Sequence, residues 1–140
     1  MTNYRNIAAA YHRALELGLV AGDEIVAWTD RVMEVEDDPA MAFIDASCSG
    51  GDHVALLAAL QEVPGDLDEA ARRKILFGLM LAAVNRDAGS ASAVAQVLHG
   101  MASDKDVPDA DAESRMLSFK DDLGDGSALT EFLSQHGEAI

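Results

Sequence analysis

The sequence predicts an all-α protein, and three observations indicate this fold class. Ten consecutive apolar or glycine residues, Ile75 to Val84, lie between charged residues at both ends. Elsewhere apolar residues recur at helical spacing, and no segment has the sustained period-two alternation of a half-buried strand. Aromatic residues make up only 5% of the chain while alanine is abundant, which favours closely packed helices over a β-sandwich. We therefore expect a single-domain multi-helix bundle, or a short stack of antiparallel helical hairpins, around a central apolar helix.

The first two predicted helices are bounded by capping and breaking residues. The first runs from Thr2 or Asn3, either of which can cap it, to Gly18, which supplies a left-handed exit. The second begins with Asp23 as its N-cap and ends at the polar and rigid residues 36 to 39. Its expected apolar side consists of four residues at helical spacing: Ile25, Trp28, Val32 and Val35.

The third and fourth predicted helices are short. Pro39 suits the first position of the third helix, because an N–H there would have no partner within the helix. The expected apolar side of this helix consists of Met41, Phe43, Ile44 and Cys48. Asp52 is the expected N-cap of the fourth helix, which residues 63 to 65 end with a proline and a glycine.

The central helix is expected to cover about residues 66 to 87. Asp66 and Glu69 have the spacing of a capping box at its start. The apolar run has no polar face, which indicates burial on all sides or insertion into a membrane. At 1.5 Å per residue the run spans only about 15 Å, roughly half the hydrocarbon thickness of a bilayer. The run is therefore predicted to lie in a protein core, with the other helices packed around it.

Three more helices are predicted after the central one: from Ser90 or Ser92 to Met101, from Ala112 to about Leu123, and from Ser127 onward. Residues 103 to 113 contain five acids, one lysine, one proline and no apolar stripe. We expect this segment to be an acidic loop or linker before the last two helices. Residues 137 to 140 are expected to fray.

The charge balance excludes two classes of ligand. The chain has 25 acidic and 10 basic residues, a formal net charge of −15 and an isoelectric point near 4.3. Nucleic acids and anionic membrane surfaces are bound through basic surfaces. We therefore expect neither as a partner, whereas a basic protein partner is compatible with this charge.

The predicted localisation is cytoplasmic. Cys48 is the only cysteine, so no disulfide can form within the chain, and a reducing compartment is the simpler inference. Residues 1 to 7 lack the cationic start and apolar stretch of a signal peptide. No apolar run reaches the ~18 residues of a membrane-spanning helix.

One segment carries a resemblance to known proteins. It contains Gly18-Leu19-Val20, Glu24-Ile25-Val26-Ala27-Trp28, Asp30, Asp38-Pro39 and Ile44. This segment resembles small uncharacterised bacterial all-helical proteins, although the second proline and the aromatic residue that usually follow there are missing after Pro39. The resemblance implies a bacterial α-helical domain and no particular chemistry.

An acidic face on the second helix is the first candidate site. Asp30, Glu34 and Asp37 fall at positions i, i+4 and i+7, and Asp38 follows directly. This face is either simply solvated or a contact surface for a basic partner. Trp28 lies at the boundary between the acidic and apolar sides. It is either a core residue or an interface anchor at the rim of the surface.

The second candidate site is a ligand pocket at Cys48, Asp52 and His53. A cysteine next to a glycine-rich loop and a helix N-terminus can have its thiolate favoured, with the histidine acting as a base. The structural alternative is that Cys48 fills a small space in the core, while Asp52 caps the fourth helix. The carboxylate of Asp52 would then occupy the donors that an anion needs.

No metal site or cofactor is expected from the motifs. The four histidines are far apart in sequence, without the i, i+3 or i, i+4 pairs that helical metal sites use: His12, His53, His99 and His136. Calcium loops starting at Asp104 or Asp121 would place Pro108 or Leu123 where an oxygen ligand is needed. No phosphate loop, nucleophile elbow or dinucleotide fingerprint occurs.

These observations favour a non-catalytic, acidic protein-binding module, such as an immunity protein or antitoxin that neutralises a basic partner. Two alternatives stay open. One is a small helical enzyme or ligand-binding protein with its pocket near Cys48 and His53. The other is a structural homodimer that pairs through apolar surface on the C-terminal helices.

Overall fold

The computed structural model describes residues 3–140. It confirms the all-α prediction, since no strand occurs anywhere in that range. The helices have these bounds: α1 Arg5–Glu16, α2 Gly22–Val35, α3 Met41–Ser47, α4 His53–Gln61, α5 Glu69–Arg86, α6 Ala91–Ser103, α7 Ala110–Ser118 and α8 Ser127–His136, with a short 3₁₀ turn at Ala88–Ser90. None of the helices between residues 3 and 140 combines the length and apolarity that crossing a bilayer requires.

Contacts divide the chain into two compact units, one reaching to Arg72 and the other starting at Arg73. In the first unit α2 packs on α3, α3 packs on α4, and α4 packs on α1. In the second unit α6 packs on α7. The expected single domain stays a prediction.

Four aromatic rings pack together in the first unit around Trp28, in the middle of α2. Trp28 is only 4% exposed, and its ring centroid lies 5.3 Å from that of Tyr11 and 5.7 Å from that of Phe43. Tyr4 contacts Phe43 edge-on, with 5.5 Å between the centroids. Such offset and edge-on contacts add to the stabilisation that burial of the rings provides. They fix Tyr4, just before α1, against α2 and α3.

The second unit has its own aromatic core. The ring of Phe132 on α8 lies 5.7 Å from Phe77 on α5 and 5.5 Å from Phe119 after α7. The guanidinium carbon of Arg115 lies 5.0 Å from the Phe132 centroid, a cation–π geometry. The chain after α8 is anchored as well, because the Glu138 N–H donates to the Lys74 carbonyl at 2.9 Å. The prediction that residues 137 to 140 fray is therefore wrong at this position.

Most of the central apolar run is buried as predicted. Seven of its ten residues are buried: Ile75, Leu76, Phe77, Leu79, Met80, Ala83 and Val84. Leu81 is half-buried and Ala82 is exposed, so one side of α5 is partly open to water. The start of the helix is also later than predicted. Asp68, not Asp66, caps it, because its carboxylate accepts hydrogen bonds from the N–H groups of Ala70 and Ala71.

Four other helix starts differ from the sequence predictions. α1 begins at Arg5, whose N–H donates to the Asn3 side chain at 2.9 Å, while Thr2 lies outside the described residues. α2 begins at Gly22 with Ala21 as its N-cap, so Asp23 lies in the first turn, where its charge complements the helix dipole. α3 begins at Met41 rather than at Pro39. α7 begins at Ala110 and is capped by the carboxylate of Asp109.

The buried face of α3 is not the predicted one. Ala42, Phe43 and Ala46 are buried, whereas three of the residues expected inside are exposed: Met41, Ile44 and Cys48. Phe43 belongs to the aromatic cluster, and the two alanines allow neighbouring helices to approach closely. These contacts determine which side of the short helix turns inward.

The connection between α6 and α7 is shorter than the predicted acidic linker, which covered residues 103 to 113, and side-chain hydrogen bonds hold it in place. Helix covers the two ends of the predicted linker, which leaves residues 104 to 109 as the connection. Asp106 accepts from the Arg73 guanidinium at 3.0 Å, and Glu113 accepts from Lys105 at 2.6 Å. Lys105 has a φ of +64°, a left-handed turn that redirects the chain.

Candidate acidic binding site

The acidic face lies where α2 ends and the chain crosses to α3. α2 ends at Val35, because Glu36 takes an extended conformation while its N–H donates to the Val32 carbonyl at 2.9 Å. Pro39 also disfavours helical backbone at the residue before it. Asp37 therefore lies beyond the helix, and its expected position on one helical face with Asp30 and Glu34 is wrong.

The predicted acidic residues are nevertheless all on the surface. Asp30, Glu34, Asp37 and Asp38 are each exposed. Asp30 accepts a 2.5 Å hydrogen bond from the Ser47 hydroxyl, which holds its carboxylate. Residues 23 to 45 contain eight carboxylates and one base, Arg31. We call the surface formed by Asp30, Glu34 and residues 36 to 38 the acidic face.

A cavity of about 110 Å³ opens at the end of this face. Its walls come from three segments that are distant in sequence: Tyr4, then Glu36, Asp38, Pro39, Ala40 and Phe43, and finally Pro64. Two rings, two prolines and an alanine supply the apolar walls. Glu36 and Asp38 are the charged groups among the lining residues, so the cavity has an apolar wall bordered by negative charge.

The Tyr4 hydroxyl donates a 2.6 Å hydrogen bond to Oε1 of Glu36. This short, charge-assisted bond joins the start of α1 to the end of α2 and orients the Glu36 carboxylate. Among the residues of the chain that the structure describes, neither Glu36 nor Asp38 forms an ion pair. Their charges are therefore available to a ligand.

Helix dipoles do not change the sign of the field at the cavity. α1 and α3 begin beside the cavity, with their N-caps Tyr4 and Ala40 among its lining residues, and contribute about +0.5 elementary charge each, while α2 ends beside it and contributes about −0.5. Their sum, about +0.5, is smaller than the two negative charges of Glu36 and Asp38. The carboxylates of Glu36 and Asp38 then decide the sign, and the cavity attracts cations.

Trp28 lies in the aromatic cluster that borders the cavity rather than at its mouth. Its ring centroid is 6.2 Å from that of Tyr4, and the side chain is almost fully buried. The core interpretation of Trp28 fits this position. Its interpretation as an interface anchor at the rim is not supported, because little of the ring is exposed to a partner.

The alternative site at Cys48 is not assembled as the sequence hypothesis requires. Cys48 is exposed rather than filling a core space, and it lines an open groove of about 510 Å³ between α3 and α4. Neither Asp52 nor His53 is among the residues that line this groove. The Asp52 carboxylate accepts from the Ala55 N–H at 3.1 Å. It caps α4 as predicted and so occupies a donor that an anionic ligand would need.

Two of the basic side chains next to the central apolar run, Arg72 and Arg73, form ion pairs. Arg72 binds Glu69 at 2.8 Å and Arg73 binds Asp106 at 3.0 Å.

Within residues 3–140, no group of three or more His, Cys, Asp or Glu side chains is arranged to hold a metal ion.

Sequence reasoning missed Tyr4, Glu36, Phe43 and Pro64 as parts of one site. Glu36 belongs to the acidic run and could have been included from its charge. The other three could not, because the juxtaposition of residues 4, 36, 43 and 64 depends on how α1, α2, α3 and α4 pack.

Comparison of the chain with family models, curated proteins and solved structures found no match.

Proposed function

We propose that this chain is a non-catalytic binding module that holds a basic protein partner through its acidic face, as an immunity protein or antitoxin holds a basic toxin. The observation that carries the proposal is the cavity at the end of α2, where the carboxylates of Glu36 and Asp38 border an aromatic wall. Charge alone would describe any well-solvated acidic surface. A concave apolar wall beside that charge is what a binding surface needs in addition.

The two parts of the surface have different roles in this proposal. An exposed ion pair contributes only about 0–1 kcal/mol, so the exposed carboxylates of Glu34 and Asp37 contribute little affinity each. Together they accelerate encounter with a positively charged partner and disfavour acidic ones. Lasting affinity then comes from partner groups that become desolvated against Tyr4 and Phe43.

Affinity capture with two matched charge reversals tests this function. The first variant is Glu34→Lys/Asp37→Lys/Asp38→Lys on the acidic face. The control is Asp104→Lys/Asp121→Lys/Asp122→Lys in the second unit. All six residues are exposed, and none of the six side chains forms a hydrogen bond or ion pair among residues 3–140. Both variants change the net charge by the same amount.

Wild-type protein immobilised in lysate of the source organism should retain a basic protein, and retention should weaken as salt shortens the Debye length below about 8 Å. The acidic-face variant should lose that protein, while the control variant should keep it. Equal loss in both variants would show that only net charge matters. Retention by the acidic-face variant, or capture of acidic proteins alone, would refute the proposal.

A further inference from the structure

We infer that the cavity lined by Tyr4, Glu36, Asp38 and Phe43 is a socket for one cationic side chain of the partner, a lysine or an arginine. The inference rests on the proposed function and specifies what its acidic face recognises. The chemistry common to both residues is a linear aliphatic stem that ends in a positive charge.

Size limits the occupant to one side chain. Pockets for small molecules and cofactors usually have volumes of about 300–1,000 Å³, whereas this cavity has about 110 Å³. A cofactor is too large for this space, but the stem and head of one long side chain fit it.

The walls match the two parts of such a side chain. Pro39, Ala40 and Pro64 offer apolar surface to methylene groups, which Lys and Arg commonly bury along their stems. The rings of Tyr4 and Phe43 stand edge-on to each other. A cation in contact with an aromatic face gains cation–π attraction.

The two carboxylates are suited to the charged end. Glu36 is oriented by the Tyr4 hydroxyl, and a carboxylate that accepts one hydrogen bond still has lone pairs for more donors. Asp38 is exposed and has no cationic partner within residues 3–140. Phosphate and carboxylate ligands are disfavoured by both charges. An uncharged apolar side chain would satisfy the walls but leave the carboxylates without a partner.

Peptide titrations of the ¹⁵N-labelled full chain test the socket directly. The probes are acetylated, amidated pentapeptides with glycines around one central residue, which is lysine, arginine or norleucine. Norleucine provides the aliphatic stem without the charge. Lysine or arginine peptides should shift the amide signals of Glu36, Asp38, Ala40 and Phe43. The norleucine peptide should bind at least about fivefold more weakly, since it makes no ionic contact.

Two variants distinguish the contribution of the cavity to peptide binding from the contribution of the surrounding charge. Ala40→Leu fills the cavity and leaves every carboxylate in place, so it should weaken binding of the lysine and arginine peptides at least about tenfold. Ala58→Leu is its control, because it makes the same substitution at an exposed alanine that lines the groove at Cys48 instead of the cavity. Binding to Ala58→Leu should equal binding to wild type.

Three results would overturn the socket: no shifts at the cavity, equal binding of the norleucine peptide, or unchanged binding to Ala40→Leu. Failure of the proposed function would give results that differ from these three. If the acidic-face reversal releases a captured basic protein while Ala40→Leu retains it, the function holds without the socket. If the peptides bind in the cavity but no basic protein is captured, the function fails and the cavity still recognises the cation.

Discussion

Replacement of Gly78 by alanine should release the C-terminal segment from α5. Gly78 lies in the middle of α5, and the backbone of Glu138 crosses it closely. A Cβ added at Gly78 would lie 2.8 Å from the Glu138 carbonyl carbon and closer still to its oxygen. Both are backbone atoms that no rotamer change can move. The segment has to shift and should then lose the hydrogen bond from the Glu138 N–H to the Lys74 carbonyl.

Two opposing free energies decide the effect of Gly78→Ala on stability. Alanine is favoured over glycine inside a helix by about 1 kcal/mol. Loss of one backbone hydrogen bond costs about 1 kcal/mol, and looser packing of the backbone around Gly137 adds to that cost. We therefore expect a change in the free energy of unfolding between about 0 and −1 kcal/mol, instead of the gain that helix propensity alone predicts.

Gly100→Ala is the matched control for this effect. Gly100 lies inside α6, and a Cβ added there meets no atom within 4 Å. The control should therefore show the full gain of about 1 kcal/mol in urea unfolding. Hydrogen exchange measured by NMR should show the Glu138 amide losing protection in Gly78→Ala and keeping it in Gly100→Ala. Equal stabilisation by both variants, with Glu138 still protected, would refute the reasoning.

Two further predictions concern the first unit. Burial, together with the nearby charge of Glu24, raises the pKa of Tyr11 to about 12, against a partial lowering by Arg31. Between pH 10 and 12 the unfolded chain ionises this phenol while the folded chain keeps its proton. The contribution of Tyr11 to the free energy of unfolding is fully present below pH 10. It should therefore fall by up to about 2 kcal/mol as the pH rises. Urea unfolding at pH 9 and pH 11.5 should show less loss in Tyr11→Phe than in wild type, and equal losses would contradict this origin. Cys48 is exposed, so iodoacetamide should label the native protein once per chain at the rate of a small free thiol. Protection until denaturation would contradict the exposure, whereas a rate many times higher would favour the enzyme alternative at this cysteine.

Much of the fold could be predicted from the sequence, because helix periodicity and breakers are local signals. The ten apolar residues starting at Ile75 identified α5, and the glycine at Gly18 does have the left-handed φ of +73° expected from a helix exit. Which side of a short helix faces inward is not a local property. Met41 was predicted inside α3 and is 66% exposed, because Phe43 and two alanines make the inward contacts.

The candidate site could be predicted only in part for a similar reason. Its charge is visible in the sequence as the acidic run that ends at Asp38. Its concave wall is not, since Tyr4 and Pro64 come from positions 60 residues apart and meet through packing. The sequence position of Trp28 is compatible with both an interface anchor and a core residue. Only the packing around the side chain distinguishes the two interpretations.

Hydrogen exchange of the full chain with and without its captured basic partner tests the central claim most directly. If the partner binds at the acidic face and its cavity, amides that exchange more slowly in the complex should lie within residues 30 to 43 and next to Tyr4. Unchanged exchange in that segment, with slowing confined to α6, α7 and α8 or to the groove at Cys48, would contradict the account.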